Sequence, residues 1–422
     1  MPEPLLTPRS GLPELIIDQA GFLDALNALK AGIGPIAVDA ERASGYRYSQ
    51  RAYLIQLFRR GGGLHLIDPI AVSDPKLWKE MDESFKDCEW IIHASTQDLP
   101  CLRELGINPT ILFDTELGGR IAGCERVGLG PLCESLLDLV LAKEHSAVDW
   151  SIRPLHQDWL NYAALDVDVL VDLRDAVEAL LIERGKMTWA AEDFVQILKN
   201  PPNPPRLDPW RRTSGMHKVR DRMTLAIIRA LWAARDEFAR EIDLAPGRVF
   251  NDEALVEIAT KRPTTIDEFT KIIKRRSRVT NAPTTEWFSL MKQTLELPDT
   301  ELPVLRTPSV GLPPIKLWKD RNPLGNARLS HARAAVAQRA AELEIPVENL
   351  ISPEVIRQLV WKNPPESEIE EYIKKLLLEN GARSWQAEQI TSVLVEPMRA
   401  TEPLPPAQTV PAEELSESSS VE

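Results

Sequence analysis

Asp39 and Glu41 stand two residues apart at the end of the apolar run Ile36-Ala37-Val38-Asp39-Ala40-Glu41. Alternate side chains of a strand share a face, so the two carboxylates point one way and Ala40 the other. Neighbouring carboxylates repel and are costly to keep ionised without a cation. A strand delivering such a pair suits a hard divalent ion such as Mg²⁺ or Mn²⁺. The bland alternative is a strand that ends in solvent with both acids on the surface.

Two further acids have positions that suit a shared site. Asp98 follows the short apolar strand Trp90-Ile91-Ile92-His93-Ala94, beside a helix start where Ser95 or Asp98 could cap and Pro100 sits early. Asp166 lies one helical turn after Tyr162, on the same face. Strand ends and helix starts of an α/β sheet tend to converge at one edge. Four carboxylates gathered there would bind two divalent cations about 3.5–4 Å apart, the arrangement used for in-line phosphoryl displacement. Tyr162 could then orient the attacking water through its hydroxyl. Asp114 is the rival of Asp98, but Asp114-Thr115 reads as a helix cap. Asp168 is out of helical phase with Tyr162 and is expected in solvent, and His93 is read as a supporting or structural residue. No Ser/His/Asp arrangement appears. Gly61-Gly62-Gly63 has no following Lys-Ser/Thr and fails as a phosphate loop.

The elements that must position these groups alternate in type. A helix is expected within Ile16–Ala31, and the acid-bearing strand follows it. Ala52–Phe58 and Leu64–Asp68 read as strands joined through Gly61-Gly62-Gly63 as a hairpin. Gln157 to Arg184 reads as a single amphipathic helix. Such alternation indicates an α/β domain with a mixed sheet flanked by helices. It spans residues 13–195, after a disordered stretch 1–12. A stiff Pro-rich linker, 196–209, leads to helical segments at 210–297. A second Pro-rich linker, 298–325, precedes more helices at 326–398, and residues 399–422 have the composition of a disordered acidic tail. The stretch 245–253 has a partner at 346–354, an offset that also carries Pro263 onto Pro364. The helical part therefore reads as two copies of one small domain.

Composition sets outer bounds. Across 422 residues, apolar content of 43% and charged content of 27% are those of a soluble globular chain. The four cysteines lack metal-ligand or disulfide-framework spacing, and Met1–Ser10 carries three prolines and no apolar signal core. A cytoplasmic protein with reduced thiols and no membrane span is the expectation. The net charge of −13 opposes an unpatterned nucleic-acid coat, yet basic residues cluster locally. One cluster is Arg211, Arg212, Lys218, Arg220 and Arg222; the other is Lys271, Lys274, Arg275, Arg276 and Arg278. Both suit phosphate contacts, the alternative being solvated helix faces. Trp210 and Trp287 border them and could stack a base, although a core role is the plainer reading.

The motifs together resemble a known family. Val38-Asp39-Ala40-Glu41 with Leu54-Ile55-Gln56-Leu57 and Leu66-Ile67-Asp68-Pro69 looks like the first exonuclease motif of the ribonuclease D family. Ile92-His93-Ala94 through Asp98-Leu99, with Phe113-Asp114-Thr115, looks like the second. Asp149-Trp150-Ser151, Arg153-Pro154-Leu155 and Tyr162 to Val167 look like the third, in its tyrosine-bearing form. Trp232 to Asp236 with Pro246-Gly247-Arg248 and Asp252 resembles an HRDC domain. The resemblance implies a ribonuclease-H-like exonuclease domain followed by two all-α HRDC-like domains. It implies Asp39, Glu41, Asp98 and Asp166 as metal ligands and Tyr162 as the residue that positions the water. It further implies removal of nucleoside 5′-monophosphates from the 3′ end of structured RNA, such as tRNA precursors, by a monomer. Ala40 departs from the family, where Thr is commoner, but its side chain should face away from the metals. Two rival readings are a 3′–5′ DNA exonuclease of the Werner type and a catalytically silent RNA-binding protein.

Overall fold

The computed structural model describes residues 2–142, 148–201, 204, 206–306 and 311–405. The chain divides into two compact units, one up to residue 308 and one from residue 309.

The first unit opens with β1 (Glu3–Leu5) and β2 (Leu15–Ile16). Helix α1 (Gln19–Ala31) is capped by the Asp18 carboxylate, which accepts the Gly21 N–H at 2.8 Å. Then come β3 (Ile33–Arg42), β4 (Ala52–Arg60) and β5 (Gly63–Ile67), an antiparallel meander. Gly62 in the β4–β5 turn must be small, since a Cβ there would lie 2.9 Å from the Leu29 Cα of α1. Alternation follows through α2 (Pro75–Ser84), β6 (Glu89–Ile92), α3 (Leu99–Leu105), β7 (Ile111–Asp114) and α4 (Thr115–Ala122). The domain ends with α5 (Leu129–Leu137), β8 (Leu139–Leu141), α6 (Gln157–Asp168), α7 (Leu170–Glu183) and α8 (Met187–Lys199). The mixed sheet has the order β2-β5-β4-β3-β6-β7, with β3 central between antiparallel β4 and parallel β6.

Alternation along β3 splits the core in two. Ile36, Val38 and Ala40 join Phe22, Trp78 and Leu102 on the face covered by α1, α2 and α3. Ala37 joins Ile121, Leu132, Ala163, Val177 and Phe194 on the face covered by α4 to α8. Asp39 and Glu41, in phase with Ala37, therefore face the second set of helices.

Four expectations are corrected. Residues 1–12 do not read as disorder here: β1 pairs in parallel with β8, and the Arg9 N–H bonds the Asp168 carboxylate. Asp168 is buried, not solvated, because that N-terminal segment covers it. The helix expected over 157–184 breaks at Val169, whose N–H turns back to Val167 O. The apolar period of Leu165, Val169 and Leu173 runs through the break and hides it. Helix α8 also extends to Lys199, into the stretch read as linker.

The first helical domain comprises α9 (Arg222–Glu241), α10 (Pro246–Val249), α11 (Asp252–Lys261), α12 (Ile266–Lys274) and α13 (Thr284–Leu295). The second unit contains α14 (Trp318–Arg321), α15 (Pro323–Glu342), α16 (Val347–Leu350), α17 (Pro353–Trp361), α18 (Ile369–Glu379), α19 (Ser384–Ile390) and α20 (Val395–Arg399). Helices α9, α10 and α11 begin at residues 222, 246 and 252; α15, α16 and α17 begin 101 positions later, at 323, 347 and 353. Even the left-handed residue of the first turn repeats, Asp243 with φ 47° and Glu344 with φ 50°. The side chains of Asn251 and Ser352 cap the third helix of each copy. The acidic tail beyond residue 405 lies outside the described residues.

Candidate active site

One carboxylate oxygen from each of Asp39, Glu41 and Asp166 lies within 4.8 Å of the other two. Strand β3 supplies the first two and α6, packed across that face, supplies the third. Asp98 lies beside them, sharing a hydrogen bond with Asp39 and an ion pair with Arg42 at 3.5 Å. Its backbone starts α3, yet its side chain makes no capping bond, which leaves the carboxyl directed to Asp39. Asp114 does the capping work expected of it: it accepts the Leu117 N–H at 3.0 Å and caps α4. The same carboxylate takes the Ser95 N–H at 2.8 Å and the Ser95 hydroxyl at 2.7 Å, fixing the loop that carries Asp98. Ala94 in that loop is left-handed, with φ 55°, a conformation that such pinning must sustain.

Burial pushes all four carboxyls above the ordinary carboxylate range. For Glu41 the causes are desolvation first, then the charges of Asp39, Asp166 and Asp98. Asp166 is likewise raised by burial and by Asp39, and Asp39 by burial. Asp98 is pushed up to about 8 by burial and by Asp39, and a proton shared by these two carboxyls makes the hydrogen bond between them. Tyr162 hydrogen-bonds Asp166, and its phenol is raised by burial and by the acids around it. Among the described residues, Arg42 is the cation that acts on Asp39, Glu41 and Asp98, and it is paired with Asp98. Hard oxygen donors with this little compensating charge fit divalent cations.

The acids open into a cleft of about 540 Å³. Asp39, His93, Tyr162 and Asp166 line one side; Leu129, Pro131 and Val140 from α5 and β8 face it, with Arg126 and Glu134 nearby. Arg126 pairs with Glu134 at 3.2 Å. His93 Nδ1 bonds Thr115 Oγ1 at 2.9 Å, and burial lowers its pKa, so a neutral imidazole borders the cleft.

Sequence reasoning passed over Arg42, the α5–β8 wall and Gln56. Gln56 stands opposite Asp39 on β4 and is fully buried, and neither Oε1 nor Nε2 has a hydrogen-bond partner among the described residues. Cross-strand partners share a face, so this amide lies on the acids' side of the sheet. The signal was a lone polar residue in the apolar strand Leu54-Ile55-Gln56-Leu57.

The basic residues meet different fates. Arg211 bonds Asp208 and Val304 O, Arg220 bonds His217 O, and Arg222 holds the carbonyls of Asp299, Leu302 and Pro303. Arg275 and Arg276 both pair with Glu257, whose carboxyl is held down to about 2 by hydrogen bonds from Lys261 and Arg276. Arg212, Lys218 and Lys274 are exposed and make no ion pair among the described residues. Trp210 and Trp287 are core residues of the first helical domain, Trp287 meeting Phe238 and Phe250 edge-on.

Residues 13–182 match the family profile described as 3′-5′ exonuclease, 224–288 that of the HRDC domain, and 311–398 that of the 3′ to 5′ exonuclease C-terminal domain. Ribonuclease D of Acidiphilium cryptum is 28% identical over 284 residues, covering 65% of this chain and 68% of its own. The chain belongs to the ribonuclease D family. A crystal structure of a protein from Bifidobacterium adolescentis is 36% identical and superposes with a TM-score of 0.83, covering 95% of this chain and 100% of that one. Escherichia coli RNase D, an exoribonuclease involved in structured RNA processing, shares the fold, with a TM-score of 0.62 at 24% identity over 88% of this chain and 99% of that one. Against two further ribonuclease D relatives the alignments span 47% and 44% of the relatives' length. As a member of this family the chain is a metal-dependent 3′–5′ exoribonuclease, and its ribonuclease-H-like domain followed by helical domains is the architecture that the resemblance implied. The profile matched by the second helical unit is not that of the HRDC domain, although its α15, α16 and α17 repeat α9, α10 and α11 of the first.

Proposed function

We propose that this chain releases nucleoside 5′-monophosphates one at a time from the 3′ end of structured RNA, tRNA precursors being the natural class, with two divalent cations, Mg²⁺ or Mn²⁺, at the acidic cluster. The observation that carries this reading is the meeting of Asp39, Glu41 and Asp166 within 4.8 Å, with Asp98 hydrogen-bonded to Asp39. These four side chains would hold the cations. When bound, such ions lower the pKa of a water and share the negative charge of the phosphate.

The chain's own groups account for the rest. Tyr162, anchored to Asp166, is placed to hold a water by its hydroxyl. Leu129, Pro131 and Val140 give the terminal nucleotide an apolar wall, so that its sugar and base are desolvated while the phosphate meets the acids. Arg126 lies close enough to the cleft to take an adjoining phosphate. Arg212, Lys218 and Lys274 supply exposed charge for the body of the RNA.

The decisive experiment compares RNA and DNA oligonucleotides of one sequence, each with a free or a blocked 3′ end, with Mg²⁺, Mn²⁺ or chelator. Stepwise loss of 5′-monophosphates from free-ended RNA, abolished by blocking and by chelation, is the expected result. Preference for DNA would move the chain to the Werner type of exonuclease, and inertness on every substrate would leave a silent RNA-binding protein.

A further inference from the structure

Residues 43–51 join the acid-bearing strand β3 to β4, and the regular β3–β4 register breaks between Glu41 and Arg42. Arg42 still pairs with Ala52, but the bulge bends the strand end and re-aims its side chains, so the orientation of Glu41 depends on what holds the chain beyond it. Within the exonuclease domain, Arg47 Nε donates to Ser151 Oγ at 2.7 Å. Ala43 and Tyr46 also pack on the exonuclease core, and further long-range hydrogen bonds among the described residues come from the first helical domain. The Tyr48 hydroxyl donates to Asp236 at 2.9 Å. The Ser49 N–H donates to Asp243 Oδ1 at 2.8 Å. The Ser49 and Tyr53 hydroxyls and Arg51 reach Oδ2 of the same aspartate at 3.3, 3.3 and 3.4 Å. The Ala245 N–H donates to Tyr46 O at 3.0 Å, and Arg248 Nε donates to Gly45 O at 2.6 Å. The Arg248 guanidinium also lies 3.9 Å from the centre of the Tyr46 ring.

We propose that the first helical domain is a positioning element of the nuclease centre, with Asp243 as the residue through which it fixes the strand end bearing Asp39 and Glu41. The proposal rests on the exonuclease reading and adds a role to the domain that RNA contact does not require. Asp243 touches neither the carboxylate cluster nor the cleft; it acts through Ser49, Arg51 and Tyr53. Its left-handed φ of 47° explains the residue type, since the turn after α9 must be left-handed and must also present an acceptor. A small misplacement of a catalytic group is costly to turnover. Loosening this anchor should therefore lower kcat and leave RNA affinity intact.

The test uses the full chain. Asp243→Gly removes the carboxylate and keeps the left-handed turn; Asp243→Asn keeps an oxygen for the Ser49 N–H. With free-ended RNA in Mg²⁺, Asp243→Gly is expected to lose about tenfold in kcat with KM and RNA affinity within about twofold, and Asp243→Asn to recover most of the loss. Hydrogen exchange over residues 37–51 should quicken in Asp243→Gly. Unchanged kcat with unchanged exchange overturns the proposal, as does a loss confined to KM and RNA affinity, which would make the domain an RNA handle alone. Should Asp243→Gly fail to fold, Tyr48→Phe and Arg248→Met cut single anchors and are read by the same exchange. Wild-type protein inert with Mg²⁺ and Mn²⁺ would end the nuclease reading, while the exchange comparison would still decide whether the domain braces the loop.

Discussion

Tyr162 and Asp166 occupy one turn of α6, and the proposed reaction gives them separate duties, the acid toward the cations and the phenol toward the water. Asp166→Asn should keep RNA affinity in a filter-binding assay and lose turnover by on the order of 10³-fold, since it removes charge without removing volume. Tyr162→Phe should lose about 10²-fold, the usual worth of one positioned hydroxyl. Wild-type turnover in either variant would remove that residue from the mechanism. The acids also make the metal-free protein sensitive to pH. Asp98 titrates near 8 in the fold against an ordinary 3.8, so folding favours its protonated form. The stabilisation is complete below about pH 4 and is lost as pH rises towards 8. Melts in chelator should therefore fall between pH 5 and 8, and Mn²⁺ should abolish the fall by compensating the charge. A chelated protein equally stable at both ends of that window would show that the four carboxyls ionise without strain. The sequence displayed all five of these residues through spacing and motif. It did not display Arg42 as the ion-pair partner of Asp98, because a pairing across a sheet edge leaves no periodic trace.

The elements show where local patterns stop being informative. The meander β3–β5 was plain from alternation and the Gly61-Gly62-Gly63 turn. The β1–β8 pair was not, because a three-residue strand rich in proline around it acquires its partner from a segment about 135 residues away. That N-terminal strap also accepts the Asn161 side-chain N–H at Leu6 O and pairs Arg9 with Asp172. Asn161 adjoins Tyr162, and Val140 of β8 faces the cleft. Removing residues 2–9 should raise KM for RNA more than it lowers kcat; an unaltered KM would confine the strap to stability. Arg153 is a second fastening. It holds Asp68 with two bonds, at 2.6 and 2.9 Å, and Tyr53 O at 2.8 Å, joining the loop before α6 to β4 and β5. Arg153→Ala should cost about 2–3 kcal/mol in urea unfolding, chiefly by leaving buried Asp68 without its cation. A loss under about half of that would mean that Asp68 finds other partners.

At the scale of the whole chain, the first 308 residues hold the exonuclease domain and the first helical domain as one compact unit. A fragment ending at residue 308 should melt cooperatively and hydrolyse short RNA within about threefold of the full chain. A larger loss would give the second unit a part in turnover. A fragment ending at residue 205 should fare worse, because it strips away the partners of Tyr48 and Ser49. The twofold occurrence of the α9–α11 pattern has its own consequence during synthesis, when modules with the same helix spacing on one nascent polypeptide risk exchanging helices. In the earlier module, buried Arg235 bonds Asp252 at 2.9 Å and Phe250 O at 3.0 Å. The corresponding positions of the later one hold Val336, Pro353 and Ile351. A hybrid assembled from both would strand a guanidinium among aliphatic groups with no counter-charge, a penalty that sorts each helix to its own module.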